Sequence, residues 1–184
     1  ARVVFISTRA VYGPQQGMLT EDMECRPDTL YGQAKLAAEQ ALLASGQPAM
    51  ILRATGVYGP PGPGQRHKWA DLFDDFAAGR WITPRVGSEV HGDLLALSVS
   101  RGLEGAEGVY NVSDMLLDRR DLLKEWRVVT GINGQLPERA DASRFNQMST
   151  ARLESLGYWP GGLTWLRQAL REMAELDGIL PARA

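Results

Sequence analysis

The stretch Val3-Val4-Phe5-Ile6-Ser7-Thr8-Arg9-Ala10-Val11-Tyr12-Gly13 opens as an apolar, largely β-branched run and then turns to hydroxyl residues. A short unbroken apolar run of this kind suits a strand covered on both faces, as in the middle of a parallel sheet. The hydroxyls then fall at the strand's C-terminal end, where open parallel sheets place their ligands. Because the chain begins inside this strand, with no initiator Met, the sequence is expected to continue something upstream.

Strand-like and helix-like segments alternate from here, the pattern of an α/β protein with a parallel sheet. Asp28 or Thr29 is positioned to cap a helix running to about Ser45, stopped by Gly46 and Pro48. Met50-Ile51-Leu52 is a second strand, followed by the breaker-rich segment Gly59-Pro60-Pro61-Gly62-Pro63-Gly64. A helix is expected around Trp69–Ala78, then an irregular stretch to Glu89, a helix from about Asp93 to Leu103, and a strand at Val109–Val112. Asp118 can cap a helix carrying Leu122, Leu123, Trp126 and Val129, ended by Gly131. Ser149 or Thr150 begins a short helix closed by Gly157. Leu166, Ala169, Leu170 and Met173 give the last helix one apolar face.

The 184 residues are 44% hydrophobic and 23% charged, an ordinary globular balance. A net charge of −2 gives no electrostatic reason to expect nucleic acid or an anionic membrane as partner. One cysteine, Cys25, excludes an internal disulfide, and with only His67 and His91 to join it no metal site is expected. No apolar run reaches the ~18–20 residues that a membrane span needs, so a reducing cytoplasmic setting is expected.

Tyr31-Gly-Gln-Ala-Lys35 sets a phenol and an ammonium four residues apart, on one face of a helix. A cation beside a phenol favours the phenolate, which is how a tyrosine becomes a proton acceptor or donor near neutral pH. Taken alone, the pair could equally be an inert surface contact. Two flanking segments decide against that: the strand ending Ser7-Thr8-Arg9-Ala10-Val11-Tyr12-Gly13, and Leu52-Arg53-Ala54-Thr55-Gly56-Val57-Tyr58-Gly59-Pro60. In this order and spacing they resemble the extended short-chain dehydrogenase/reductase family, the NAD-dependent epimerase/dehydratase group. Val90-His91-Gly92-Asp93-Leu94-Leu95-Ala96, Gly108–Asp114 and Arg152–Tyr158 extend the resemblance over essentially the whole chain.

The resemblance implies a Rossmann-like, doubly wound parallel sheet, represented here by its C-terminal part. A small α/β substrate-binding region would draw on residues 56–90 and 108–165. Tyr31 would be the general acid/base, Lys35 its electrostatic partner, and Thr8 the hydroxyl that orients the substrate oxygen. Tyr31, Lys35, Ala54, Thr55, Gly56 and Val57 would meet the cofactor, NAD or NADP. Arg9, Arg53 and His91 are weaker candidates for substrate contact; His91 also reads as a structural hydrogen-bonder. The family's sugar dehydratases carry an Asp-Glu pair after the catalytic Thr. Arg9 and Ala10 stand there, which argues against that chemistry. Gly56 stands where nucleotide-sugar enzymes commonly carry Asn, which argues against a standard nucleotide-diphosphate sugar.

Gly102-Leu-Glu-Gly105-Ala-Glu-Gly108 matches a dinucleotide fingerprint in letters only, since it is expected to follow a helix and precede a strand. By the family layout, roughly a hundred N-terminal residues holding the first mononucleotide-binding half lie outside the sequence. The expected function is therefore an NAD(P)-dependent oxidoreductase or epimerase acting on a hydroxyl or carbonyl of a small sugar-like substrate, homodimeric when complete. The alternatives are a non-catalytic NAD(P)-sensing or scaffold protein on the same fold, or an incomplete fragment.

Overall fold

The computed structural model describes residues 1–143 and 145–182. In chain order the elements are β1 (Val3–Thr8), a 3-10 turn (Arg9–Val11), α1 (Leu30–Ala44), β2 (Ala49–Ala54), β3 (Gly56–Tyr58) and α2 (Ala70–Ala77). There follow β4 (Val86–His91), α3 (Gly92–Glu104), β5 (Gly108–Val112), β6 (Met115–Asp118), α4 (Arg119–Thr130), α5 (Ala151–Glu154) and α6 (Gly162–Leu176).

Two sheets result. The first is parallel, in the order β1-β2-β5. Along its strands side chains alternate between faces. Phe5 and Ser7 of β1 and Arg53 of β2 turn toward α1. Val4 and Met50 turn toward α3, where a Cβ on Gly102 would lie 2.6 Å from Val4 and 2.9 Å from the Met50 sulfur. Glycine at 102 is what lets that helix sit down on the sheet. Helices thus cover both faces, the doubly wound arrangement expected of an α/β chain. The glycine-rich 102–108 segment is a helix-to-strand turn, running from the end of α3 into β5.

The second sheet, in the order β3-β4-β6, is mixed: β4 runs parallel to β3 and antiparallel to β6. It corrects one expectation: the stretch before Glu89, read as irregular, contains β4, whose sequence Val-Gly-Ser-Glu-Val-His has no apolar run to announce it. Residues 108–112 lie in the parallel sheet, where β5 pairs with β2 from Met50↔Gly108 to Ala54↔Val112. Around this second sheet Phe73, Phe76, Leu123, Trp126, Leu166, Leu170 and Met173 form one buried cluster. Phe73 stacks on Trp126 at a centroid distance of 3.9 Å. Each fully buried Leu here contributes about 1.5–3 kcal/mol of hydrophobic stabilisation. Asp118 caps α4 by accepting from the Arg120 amide at 2.7 Å, and Gly131, at φ 75°, ends it in the left-handed conformation.

Among the described residues, β1 pairs only with β2, so its other edge is open, and Ile6 on it is 44% exposed. An unpaired apolar edge is a template for another strand. Residues 1–184 produced alone should therefore self-associate, with a sedimentation-derived mass that rises with concentration, and Ile6→Lys should reduce the effect. A strictly monomeric sample with a cooperative thermal transition at every concentration would contradict this.

Candidate active site

The first turn of α1 is set against the end of β1 by two local features. Thr29 caps the helix, its Oγ1 accepting from the Gly32 amide at 3.1 Å. A Cβ at position 32 would lie 2.6 Å from the Ala10 carbonyl oxygen, so the absence of a side chain lets α1 press against the 3-10 turn. Lys35 then reaches the sheet: its Nζ donates to the Ile6 carbonyl at 2.8 Å and lies 4.9 Å from the centre of the Phe5 ring. The same ammonium is 5.9 Å from the centre of the Tyr31 ring. Tyr31 is 59% exposed, and its hydroxyl makes no hydrogen bond among the described residues. The phenol and ammonium therefore share a helix face, as their spacing predicts, with the ammonium anchored and the phenol free.

The guanidinium of Arg53, a weaker candidate for substrate contact, lies in the core with Glu39 of α1, Nη2 to Oε2 at 2.7 Å, both residues almost wholly buried. Glu39 also accepts from the Ser7 hydroxyl, and Arg53 lies over the Tyr12 ring at 4.9 Å. Burial works against the charged guanidinium, yet its hydrogen bonds to Glu39 and its closeness to Tyr12 hold its pKa above the ordinary arginine range. An arginine inside an apolar strand must find a buried carboxylate, and Glu39 is the acidic residue on the inward face of α1.

The C-terminal ends of β1 and β2 and the start of β3 open onto a cavity of about 300 Å³. Thr8, Arg9, Ala54, Thr55 and Gly56, all expected site residues, line it together. Thr8 and Ala54 are register partners across the strands. The Thr8 Oγ1 accepts from the Ala10 amide at 3.2 Å as cap of the 3-10 turn, which leaves its own proton free to donate. Lys68, Arg85 and Glu89, none of them singled out by sequence reasoning, complete the wall. Lys68 and Glu89 form an ion pair directly over Gly56: a Cβ there would lie 2.5 Å from both Lys68 Nζ and Glu89 Oε2. Burial raises the Glu89 carboxyl pKa above the usual range, and Lys68 opposes that shift. No sequence signal pointed to Glu89, which follows Gly87 and Ser88 in a stretch without an apolar run.

His91 and Val57 lie elsewhere, on a neighbouring cavity of about 270 Å³. His91 is 4% exposed, its Nδ1 accepts from the Asp93 amide at 3.1 Å to cap α3, and its ring meets Tyr58 and Trp165 edge-on, contacts that fit its reading as a structural hydrogen-bonder.

Residues 1–96 match the NAD dependent epimerase/dehydratase family, and the chain belongs to that family. No curated protein matches it. Among solved structures, it is similar to a UDP-N-acetylglucosamine 4-epimerase from Methanobrevibacter ruminantium M1 in complex with UDP-N-acetylmuramic acid. There the TM-score is 0.74 at 20% identity, over 96% of this chain and 63% of that one. A UDP-glucose 4-epimerase from Thermotoga maritima with UDP-glucose gives a TM-score of 0.74 at 21% identity, with the same coverage of 96% and 63%. The Thermus thermophilus UDP-glucose 4-epimerase complex with NAD gives 0.72 at 25% identity, over 99% of this chain and 65% of that one. The chain thus spans less than two thirds of the length of these relatives, and it shares their fold. Among the described residues no helix is long and apolar enough to cross a membrane.

The loop between the 3-10 turn and α1 is held to the sheet by Asn111 of β5, which is fully buried. Its Oδ1 accepts from the Tyr12 hydroxyl at 2.6 Å, and its Nδ2 donates to the carbonyls of Leu19 and Ser149, each at 3.1 Å. Asn111→Leu removes the partner of the buried Tyr12 hydroxyl and of the Ser149 carbonyl, while the Leu19 carbonyl keeps the Ser149 amide at 2.8 Å, and should cost about 1–3 kcal/mol in urea unfolding. A loss below about 0.5 kcal/mol would show that these groups find other partners.

Proposed function

We propose that this chain supplies the proton-transfer half of an NAD-dependent epimerase or oxidoreductase acting on a hydroxyl or carbonyl of a small, sugar-like substrate. The observation that carries the reading is the convergence at one end of the parallel sheet. Thr8 and the 54–56 segment share a cleft there, and Lys35, on the helix of Tyr31, is anchored to the same strand end through the Ile6 carbonyl.

The exposed groups fit the nicotinamide end of a dinucleotide. Lys35 uses one of its three N–H donors on Ile6 and keeps two, and the Tyr31 hydroxyl is unengaged. Both are suited to a ribose, with Ala54, Thr55 and Gly56 as the adjoining floor. A bound nicotinamide supplies hydride acceptance and donation. The protein's own part is proton management and orientation. Tyr31 takes the proton from the substrate hydroxyl as the carbonyl forms and returns it in the reverse direction. Lys35 stabilises the phenolate that accepts this proton and that re-forms when the proton is returned. Thr8 donates a hydrogen bond to the reacting oxygen and fixes it toward Tyr31. A non-catalytic sensor on this fold would have no use for a proton relay of this kind.

In the full-length protein, Tyr31→Phe should lower turnover by about 10²–10⁴-fold while leaving the fold and cofactor affinity nearly intact. Turnover is followed by nicotinamide absorbance and affinity by nicotinamide fluorescence. A Phe variant that turns over at near wild-type rate sinks the assignment.

A further inference from the structure

We infer that the cleft beside Thr8 holds an anionic oxyacid group of the substrate, a carboxylate or a phosphate, with Arg9 as the residue that recognises it. Arg9 directly follows Thr8, and the two line the same cavity. Its guanidinium lies 4.6 Å from the centre of the Phe145 ring, and Nη2 donates to the Asn146 carbonyl at 2.8 Å. These contacts hold it in place without neutralising it. Among the described residues no carboxylate lies within ion-pair distance of Arg9, and its buried Nε has no hydrogen-bond partner. A partly desolvated guanidinium with no counter-charge is costly, and a bidentate oxyanion is its natural complement.

The surrounding charges point the same way. Lys68, Arg85 and Arg9 share the cavity with a single carboxylate, Glu89, an excess of two positive charges. Lys68 is engaged by Glu89, whereas the Arg85 side chain makes no hydrogen bond or ion pair among the described residues. On the outer side Asp28 lines the larger cavity of about 950 Å³ that Arg9 also borders. It does not line the inner one. A concave wall of one sign raises the local concentration of oppositely charged ligands. Because Arg9 and Thr8 adjoin, the anionic group would lie close to the reacting carbon. The substrate class is then a hydroxy or keto compound carrying its carboxylate or phosphate within a few bonds of that carbon.

The inference rests on the proposed reading of the cleft as the substrate site, but its test is independent of turnover. Malonate and inorganic phosphate are titrated calorimetrically into the full-length wild-type protein and into Arg9→Gln, Arg9→Lys and Arg80→Gln. Arg80 lies outside the cleft, paired with Asp75 at 2.6 Å. Saturable binding of at least one anion is expected, weakened about tenfold or more by Arg9→Gln, partly kept by Arg9→Lys and unchanged by Arg80→Gln. Tighter binding of malonate assigns a carboxylate substrate, tighter binding of phosphate a phosphorylated one, and equal binding leaves the shared oxyanion chemistry standing. Thermal melts of each variant separate lost binding from lost fold. Absence of saturable binding of both anions up to about 10 mM, or equal affinity in a folded Arg9→Gln, overturns the inference. If Tyr31→Phe keeps its turnover while anion binding depends on Arg9, the proton-transfer reading fails and the anion site survives.

Discussion

The geometry of the site depends on one buried ion pair. Arg53 comes from β2, Glu39 from α1, and the Ser7 hydroxyl that joins them from β1. Each of these elements carries part of the proposed site: Thr8 ends β1, Tyr31 and Lys35 ride on α1, and β2 leads into Thr55 and Gly56. Two charges taken out of water are tolerable only as a well-bonded pair, and removing one partner of such a pair typically costs about 3–5 kcal/mol. The strength of that penalty fixes the orientation of α1. An apolar contact would let the helix slide over the sheet; a guanidinium bonded to a carboxylate does not. The weak apolar character of the inward face of α1, where only Gly32 and Glu39 are buried, leaves the pair as the main register device.

The cleft follows from how the two sheets are connected. β2 ends at Ala54 and β3 starts at Gly56, so a single residue, Thr55, carries the chain from the parallel sheet into the mixed one. Its amide donates to the Val112 carbonyl at 3.1 Å, so the crossing point stays tied to the first sheet. The strand ends of one sheet therefore face the polar residues of β4 across a short gap. Lys68 and Glu89 meet over the bare backbone of Gly56 for the same reason: no side chain separates the two walls there. The folded chain thereby places Thr8, the Lys68–Glu89 ion pair and the guanidiniums of Arg9 and Arg85 around one opening.

Much of the fold was legible because local signals agreed with each other. Thr29 before α1, Asp118 before α4, Gly131 after it, and the four-residue apolar face of α6 all appear where capping and periodicity place them. The three short strands β3, β4 and β6 were not legible. Gly56-Val57-Tyr58 is too short to show a period, and Val86–His91 interleaves glycine, serine and glutamate whose burial is decided by tertiary neighbours. In the site, the Tyr31/Lys35 spacing and the strand-end position of Thr8 were readable as patterns along the chain. The Arg53–Glu39 pair was not readable because its partners lie fourteen positions apart on different elements, and charge alone does not say whether an arginine faces solvent, ligand or core. Lys68 and Arg85 sit in segments without periodicity, and only the folded chain brings them to Thr8.

The most direct test of this account is a double-mutant cycle on the buried pair. Urea unfolding of wild type, Arg53→Met, Glu39→Leu and the double variant in the full-length protein gives the coupling between the two side chains. The account predicts that each single variant is destabilised far more than the double, with a coupling energy of about 2 kcal/mol or more. Single effects that add to the double within about 0.5 kcal/mol would show that Arg53 and Glu39 stabilise the protein independently, and that α1 is positioned by something else.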